Sequence, residues 1–213
     1  MHRFRSGYRK LIYQYSEKNT LNLLYSSALY KNFFLVPLQV HNDSQISCHS
    51  HYECIEDFIN ELVHSFAHHA PQETTLVLKH HPMDRGYRNY RKMISRLRKT
   101  YRLGERLLYI HEGYLPKLLE NARGVVTINS TVGLSAPHHG TPVKTVGEAM
   151  YAIQSIVSTE TLDNFWKNPG KVDRDLYRNF THHLRQTTQI NAGFYTRTAI
   201  DNLFKRCRAT DAS

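Results

Sequence analysis

The chain is 213 residues long with 40% hydrophobic and 22% charged residues, which excludes a disordered polar tail and fits one globular domain with appended segments, or two small domains. A net charge of +10 at pH 7 and a pI near 9.6 imply an anionic partner: a nucleic acid, an acidic membrane surface or a phosphorylated substrate. Cys48, Cys54 and Cys207 form no CxxC pair and leave an odd thiol, which argues against a disulfide framework or a thiolate zinc site and fits a reducing cytoplasm.

Residues 1–30 are basic and aromatic, with Arg3, Arg5, Arg9 and Lys10 interleaved with Phe4, Tyr8, Tyr13, Tyr15, Tyr25 and Tyr30. This basic start runs into tyrosines and no apolar run reaches the roughly 18 residues of a membrane span, so the chain reads as soluble or peripherally bound. Tyr8, Leu11, Ile12 and Tyr15 share a face at helical spacing, giving an amphipathic helix that either rests among anionic lipid headgroups or packs on the domain's own surface. Phe33 to Val40 reads as the first strand, with Pro37 marking an edge or a bulge. The polar cluster His41 to Gln45 follows, and then a helix from Tyr52 to His69 whose Ile55, Phe58, Ile59, Leu62, Val63 and Phe66 recur at helical spacing. The second strand, Thr75 to Lys79, runs into His80-His81-Pro82, and Tyr87 to Tyr101 is a basic helix. Arg106 to Ile110 is the third strand, ending at His111-Glu112; a short helix spans Leu115 to Asn121; Gly124 to Asn129 and Pro142 to Val146 are the fourth and fifth strands. Beyond Gly147 the pattern weakens to helical or irregular segments, with helices near Asp173 to Thr187 and Thr196 to Arg208 and a fraying end from Arg206.

Strands alternating with helices predict an α/β fold with a parallel sheet and right-handed crossovers. Ligands bind such a sheet at the carboxyl ends of its strands, where Asp43, His81, His111 and Ser130 fall. The sharpest of these places is GVVTINSTVGLS, Gly124 to Ser135, where a β-branched strand meets hydroxyls that cap a helix and admit an anion. The same residues also make an ordinary strand-to-helix turn. Histidine doublets such as His80-His81 and His138-His139 point in different directions and match no known metal spacing. The basic residues are spread along the chain with no nucleic-acid-binding motif, which argues against a nucleic-acid partner.

Four blocks, QVHNDSQI (Gln39–Ile46), KHHPMDRGYRNY (Lys79–Tyr90), YIHEGYLPKLLENARGVVTINSTVGLSA (Tyr109–Ala136) and HHGTPVKTVG (His138–Gly147), carry a family resemblance in their order and spacing. The chain resembles the C-terminal half of the capsular-polysaccharide Kdo transferases of the KpsS/LipB type, and FWKNP (Phe165–Pro169) and TQINAGFY (Thr188–Tyr195) are similar to that family too. The resemblance implies a Rossmann-like domain forming one half of a GT-B glycosyltransferase, with residues 33–195 binding the donor. Residues 1–32 would be a remnant of, or linker to, the other half, and 196–213 a closing helix and tail.

By the same resemblance the donor substrate is CMP-β-Kdo, the acceptor a phosphatidylglycerol-type lipid, and the place of work the cytoplasmic face of the inner membrane beside other capsule proteins. No metal or other cofactor is implied. His81-Pro82 corresponds to an HP motif and Ser130-Thr131 to a paired-hydroxyl motif, both associated with the CMP phosphate, and Asp43 to a proposed nucleophile. An imidazolium at His81 and N–H donors near Ser130 would stabilise the departing phosphate. Asn129, His111 and Glu112 are further candidates for holding the nucleotide, and Glu148 and Tyr151 either reach it or simply pack. A whole family member has another N-terminal half, so this reading is a donor-binding half dependent on a counterpart. The alternatives are a truncated non-catalytic nucleotide-binding or assembly remnant, and a basic nucleic-acid or lipid-surface module. Pro137 departs from the family pattern and predicts a kinked or shortened helix after Ser130.

Overall fold

Five apolar runs become strands: Phe33–Pro37 (β1), Thr75–Lys79 (β2), Leu107–Ile110 (β3), Gly124–Thr127 (β4) and Val143–Thr145 (β5). In the computed structural model, which describes residues 2–188, they form one all-parallel sheet in the order β3-β2-β1-β4-β5. Every residue of β1, β2 and β4 is buried, whereas β3 and β5, at the two edges, are partly exposed. That difference explains the unbroken apolar runs, because a central parallel strand has both faces covered. Registers such as Leu35↔Val77 and Leu35↔Val125 align the strand ends, so the loops after β1, β2 and β4 leave from one edge.

Side-chain alternation sorts the core into two layers. Phe34, Val36, Leu76, Leu78 and Val126 face one side, meeting the helix Ile55–His69 through Phe58, Leu62 and Phe66, together with Phe165 and Trp166. Phe33, Leu35, Val77 and Val125 face the other, meeting Leu24, Leu118 and Leu119. Each such buried side chain contributes about 1.5–3 kcal/mol, so the sheet is fixed by its two apolar faces.

Around the sheet run helices α1 (His2–Ser16), α2 (Lys18–Tyr25), α3 (Ser44–Cys48), α4 (Ile55–His69), α5 (Arg91–Thr100), α6 (Leu115–Asn121), α7 (Thr131–Ser135), α8 (Leu162–Lys167) and α9 (Arg174–Thr188). Among the described residues the expected strands and helices are present, most with slightly shorter bounds, and α2 and α3 are additions. One compact unit runs from Met1 to Arg174 and a second begins at Asp175. The expected helix Thr196 to Arg208, the fraying tail and most of the TQINAGFY block lie outside the described residues.

Pro37 corrects an expectation, since β1 is the central strand and not an edge. Leu38 N–H donates to Lys79 O, so by alternation the N–H that Pro37 lacks would face β4, where pairing already ends at Leu35–Val125. No ladder bond is lost there. Pro137 acts as expected: α7 stops at Ser135 and gives way to a 3-10 turn over Ala136–His139.

The first helix uses both faces. Arg9 donates to Arg85 O, and the Tyr13 ring lies flat on His111 with centroids 3.7 Å apart. The stripe read from the sequence, Tyr8, Leu11, Ile12 and Tyr15, points to solvent.

Candidate functional site

A cleft of about 670 Å³ opens at the carboxyl ends of β1, β2 and β4, and its walls include Asp43, His81, Asn129, Ser130, Thr131 and Glu148. The strand order brings these residues together, because β1 lies between β2 and β4 and all three end at the same edge. Pro82, exposed beside His81, opens the 3-10 turn Pro82–Gly86.

Gln39, just past β1, is buried and organises the cleft floor. Its amide nitrogen donates to Asp43 Oδ2 at 3.1 Å and to Asn129 Oδ1 at 2.9 Å, and its oxygen accepts from the Asn129 N–H at 3.2 Å. Asp43 also caps α3, its Oδ1 accepting from the Gln45 N–H at 3.0 Å. The carboxylate is thus held in one orientation by two donors while still facing the cleft.

His81 caps the turn after β2, with Nδ1 accepting from the Met83 N–H at 3.2 Å, so the ring proton sits on Nε2. Burial pushes its pKa below the ordinary histidine value; Asp84 opposes this, Lys79 adds to it and Asp43 opposes it. The cap and the burial together favour the neutral ring over an imidazolium, with Nε2–H as its one donor. Ser130 caps α7 by accepting from the Val132 N–H at 3.3 Å, which leaves its own O–H free to donate. Thr131 is exposed at the mouth.

Tyr151 fixes Ser130 from behind. Its buried hydroxyl donates to Ser130 O at 2.5 Å and crosses α7 at Gly133, where any Cβ would overlap that hydroxyl. Glu148 accepts from His49 Nδ1 at 3.3 Å on the opposite wall.

His111 and Glu112 are not brought to this cleft. Glu17, between α1 and α2, accepts from the His111 N–H at 2.8 Å, from its Nδ1 at 2.7 Å and from the Glu112 N–H at 3.0 Å. Burial alone would raise the Glu17 carboxyl, but the His111 ring and the two backbone donors hold it below its ordinary value. The Glu112 side chain pairs with Arg85. Both residues belong to the fastening of the N-terminal helices, and neither lines the cleft.

Sequence reasoning passed over Gln39, Asp84 and Glu17, and named Tyr151 only as a residue that reaches the nucleotide or packs. Asp84 is buried and receives the His41 N–H at 2.7 Å and His41 Nδ1 at 2.6 Å, tying the loop after β1 to the turn after β2. A signal existed for two of them: Gln39 is a polar residue closing an apolar strand, and Glu17 a lone acid in a basic segment.

A parallel sheet of this order with its polar side chains gathered at one edge defines a Rossmann-like α/β domain. The profile of the capsule polysaccharide biosynthesis protein family matches residues 1–195, and the chain belongs to that family. It is 46% identical over 191 residues to the capsule polysaccharide export protein KpsS of Escherichia coli, covering 90% of this chain and 49% of that protein. It is 42% identical over 174 residues to the capsule polysaccharide modification protein LipB of Neisseria meningitidis serogroup A, covering 81% and 42%. The chain spans about half the length of these curated relatives. Among solved structures, the β-Kdo 2,7-transferase KpsC of Thermosulfurimonas dismutans aligns with TM-score 0.44 and 17% identity over 80% of this chain and 62% of that one. So loose a likeness assigns nothing to the site.

Proposed function

We propose that this chain is the donor-binding half of a GT-B capsule glycosyltransferase, binding CMP-β-Kdo at the cleft and, with its counterpart half, passing Kdo to a phosphatidylglycerol-type lipid. The observation that carries this reading is the convergence of Asp43, His81 and Ser130 on one cleft. These are the positions that match the family's nucleophile, HP and paired-hydroxyl motifs.

The geometry suits the chemistry. The CMP phosphate leaves with the electron pair of the broken glycosidic bond, and His81 Nε2–H with the Ser130 hydroxyl would donate to the charge it gains. Asp43, opposite, would form a bond to the anomeric carbon as that bond breaks; the acceptor hydroxyl would then displace it and lose its proton to solvent or a base. The two donors on Asp43 keep its carboxylate aimed at the cleft, which suits a nucleophile better than a base.

The test is a thermal titration with CMP. A ligand at a hundred times its dissociation constant stabilises the native state by about 2.7 kcal/mol. The expected result is stabilisation by CMP that is lost in His81→Ala. Equal stabilisation by unrelated polyanions at the same ionic strength would remove the nucleotide reading.

The proposal includes peripheral attachment to the anionic cytoplasmic face of the inner membrane. Among the described residues no helix is long and apolar enough to cross a membrane. Support for attachment comes from α1, whose Tyr8, Leu11, Ile12 and Tyr15 are exposed on the face away from its Tyr13–His111 contact. Vesicle co-sedimentation should weaken in Leu11→Asp and at high salt, and binding insensitive to both leaves α1 with a packing role only.

A further inference from the structure

At the amino ends of the strands, on the edge of the sheet away from the nucleotide cleft, lies a second cleft of about 510 Å³. Lys31 and Arg123, just ahead of β1 and β4, form one side, and Lys171 and Arg174 the other, with Gly140 and Gly170 between them. β1 is five residues long, so about 17 Å of strand separates the two edges.

The four cations have no carboxylate among the residues lining the cleft. Lys31 Nζ donates to Ala122 O at 3.0 Å and to Thr141 Oγ1 at 3.4 Å, and Arg123 donates to Lys167 O at 3.2 Å, so their bonds end on neutral oxygens that fix position without cancelling charge. Glu120 is the acid that acts on Lys31, and it is already paired with Lys117 at 3.0 Å. Burial lowers the Lys31 pKa, Glu120 opposes this and the nearby Arg174 adds to it. Like charges held together with no carboxylate among the residues lining the cleft repel one another, and an anion bound between them relieves that repulsion.

The backbone is shaped for close approach. Lys31 is held at φ 56°, a left-handed conformation that costs a lysine of order 1 kcal/mol or more. Gly140 has φ 70°, and a Cβ there would run into the Arg174 guanidinium. Gly170, at φ 76°, faces open space with nothing within 4 Å of where a Cβ would stand.

We propose that this cleft is a second anion site, separate from the nucleotide cleft, which takes a doubly charged phosphate group between Lys31 and Arg123 on one side and Lys171 and Arg174 on the other. Paired guanidinium and ammonium donors are the chemistry that recognises phosphate oxygens. Such a group comes either on a soluble phosphorylated molecule or on a lipid headgroup, and the two sources are separable by experiment.

The measurement is calorimetric titration of the full chain with inorganic pyrophosphate at fixed ionic strength and saturating CMP, beside co-sedimentation with phosphatidylcholine vesicles containing phosphatidic acid. The variant is Lys171→Gln with Arg174→Gln, both exposed and so dispensable for folding. The control is Lys92→Gln with Lys99→Gln, which removes the same charge from the exposed surface of α5. The expected result is pyrophosphate binding weakened about tenfold or more in the first variant and unchanged in the control, since each lost charged hydrogen bond is worth about a factor of ten. Binding of vesicles but not of pyrophosphate, lost in the first variant alone, identifies a lipid headgroup as the source. Absence of binding to both probes, or equal weakening in the variant and the control, overturns the site.

Discussion

Gln39 and Asn129 meet twice across the ends of adjacent strands: the Gln39 amide donates to Asn129 Oδ1 at 2.9 Å, and the Asn129 N–H donates to Gln39 Oε1 at 3.2 Å. This exchange ties β1 to β4 at the point where the cleft begins, and the same Gln39 nitrogen steadies Asp43. Gln39→Glu would set an oxygen against both Asp43 and Asn129. It should destabilise the chain by about 2 kcal/mol or more at pH 7. The penalty should shrink as the pH falls and one carboxyl takes a proton, which denaturant titrations at pH 7 and pH 5 would show. A pH-independent penalty would mean that the two carboxyls do not interact.

Asp43→Asn separates capping from chemistry. Asparagine keeps the size of the side chain and still caps α3, so CMP should stabilise the variant as it does the wild type. Transfer of Kdo, assayed with the N-terminal half of a full-length relative supplied, should be abolished. Near-normal transfer would make Asp43 a structural residue, while wild type with donor alone should gain the mass of one Kdo unit.

Gly133 and Tyr151 form a pair that a double-mutant cycle can isolate. Gly133→Ala puts a methyl group against the Tyr151 hydroxyl and should cost about 1–3 kcal/mol as an overpacked contact. Tyr151→Phe removes that hydroxyl and its bond to Ser130 O, at a cost of about 1 kcal/mol. The double variant should be less destabilised than the sum of the two. Simple additivity would show that the clash is relieved elsewhere.

Glu17 gives an acid-sensitive fastening of the N-terminal helices. Its carboxyl is held below 4.5, so its contribution is complete above that pH and is lost as the pH falls through the lower native value. Glu17→Gln should cost about 3 kcal/mol at pH 7, as breaking a buried charged network does. The gap between variant and wild type should narrow below pH 4.5 in denaturant titrations, and a constant gap would put the loss in packing.

His80 predicts a second, higher window. Burial and its His111 neighbour push its pKa down to about 4, so the folded state binds fewer protons than the unfolded chain between pH 6.5 and about 4. Stability from the neutral ring is complete above pH 6.5 and falls with the pH through that window, by at most about 1.4 kcal/mol per pH unit. His80→Asn should flatten this part of the pH profile, and an unchanged slope would assign it to another group.

The sequence by itself determined the parallel α/β fold and nearly all of its elements. A central parallel strand must be apolar on both faces, so Phe33–Val36, Leu76–Leu78 and Val125–Val126 announce themselves, and the buried stripe of α4 repeats at 3.6 residues. Asp43, His81 and Ser130 were legible as candidates because each follows a strand at a polar break. Tertiary structure alone decided which strand ends meet: with β1 between β2 and β4, those three residues share a cleft, while His111, after edge strand β3, is claimed by Glu17 and Tyr13. It also decided which face of α1 is buried, since periodicity shows that a stripe is apolar but not what covers it. Partners such as Gln39 and Asn129, 90 residues apart, leave no local pattern, because a hydrogen bond between strand ends depends on strand order and register and on nothing nearby in the chain.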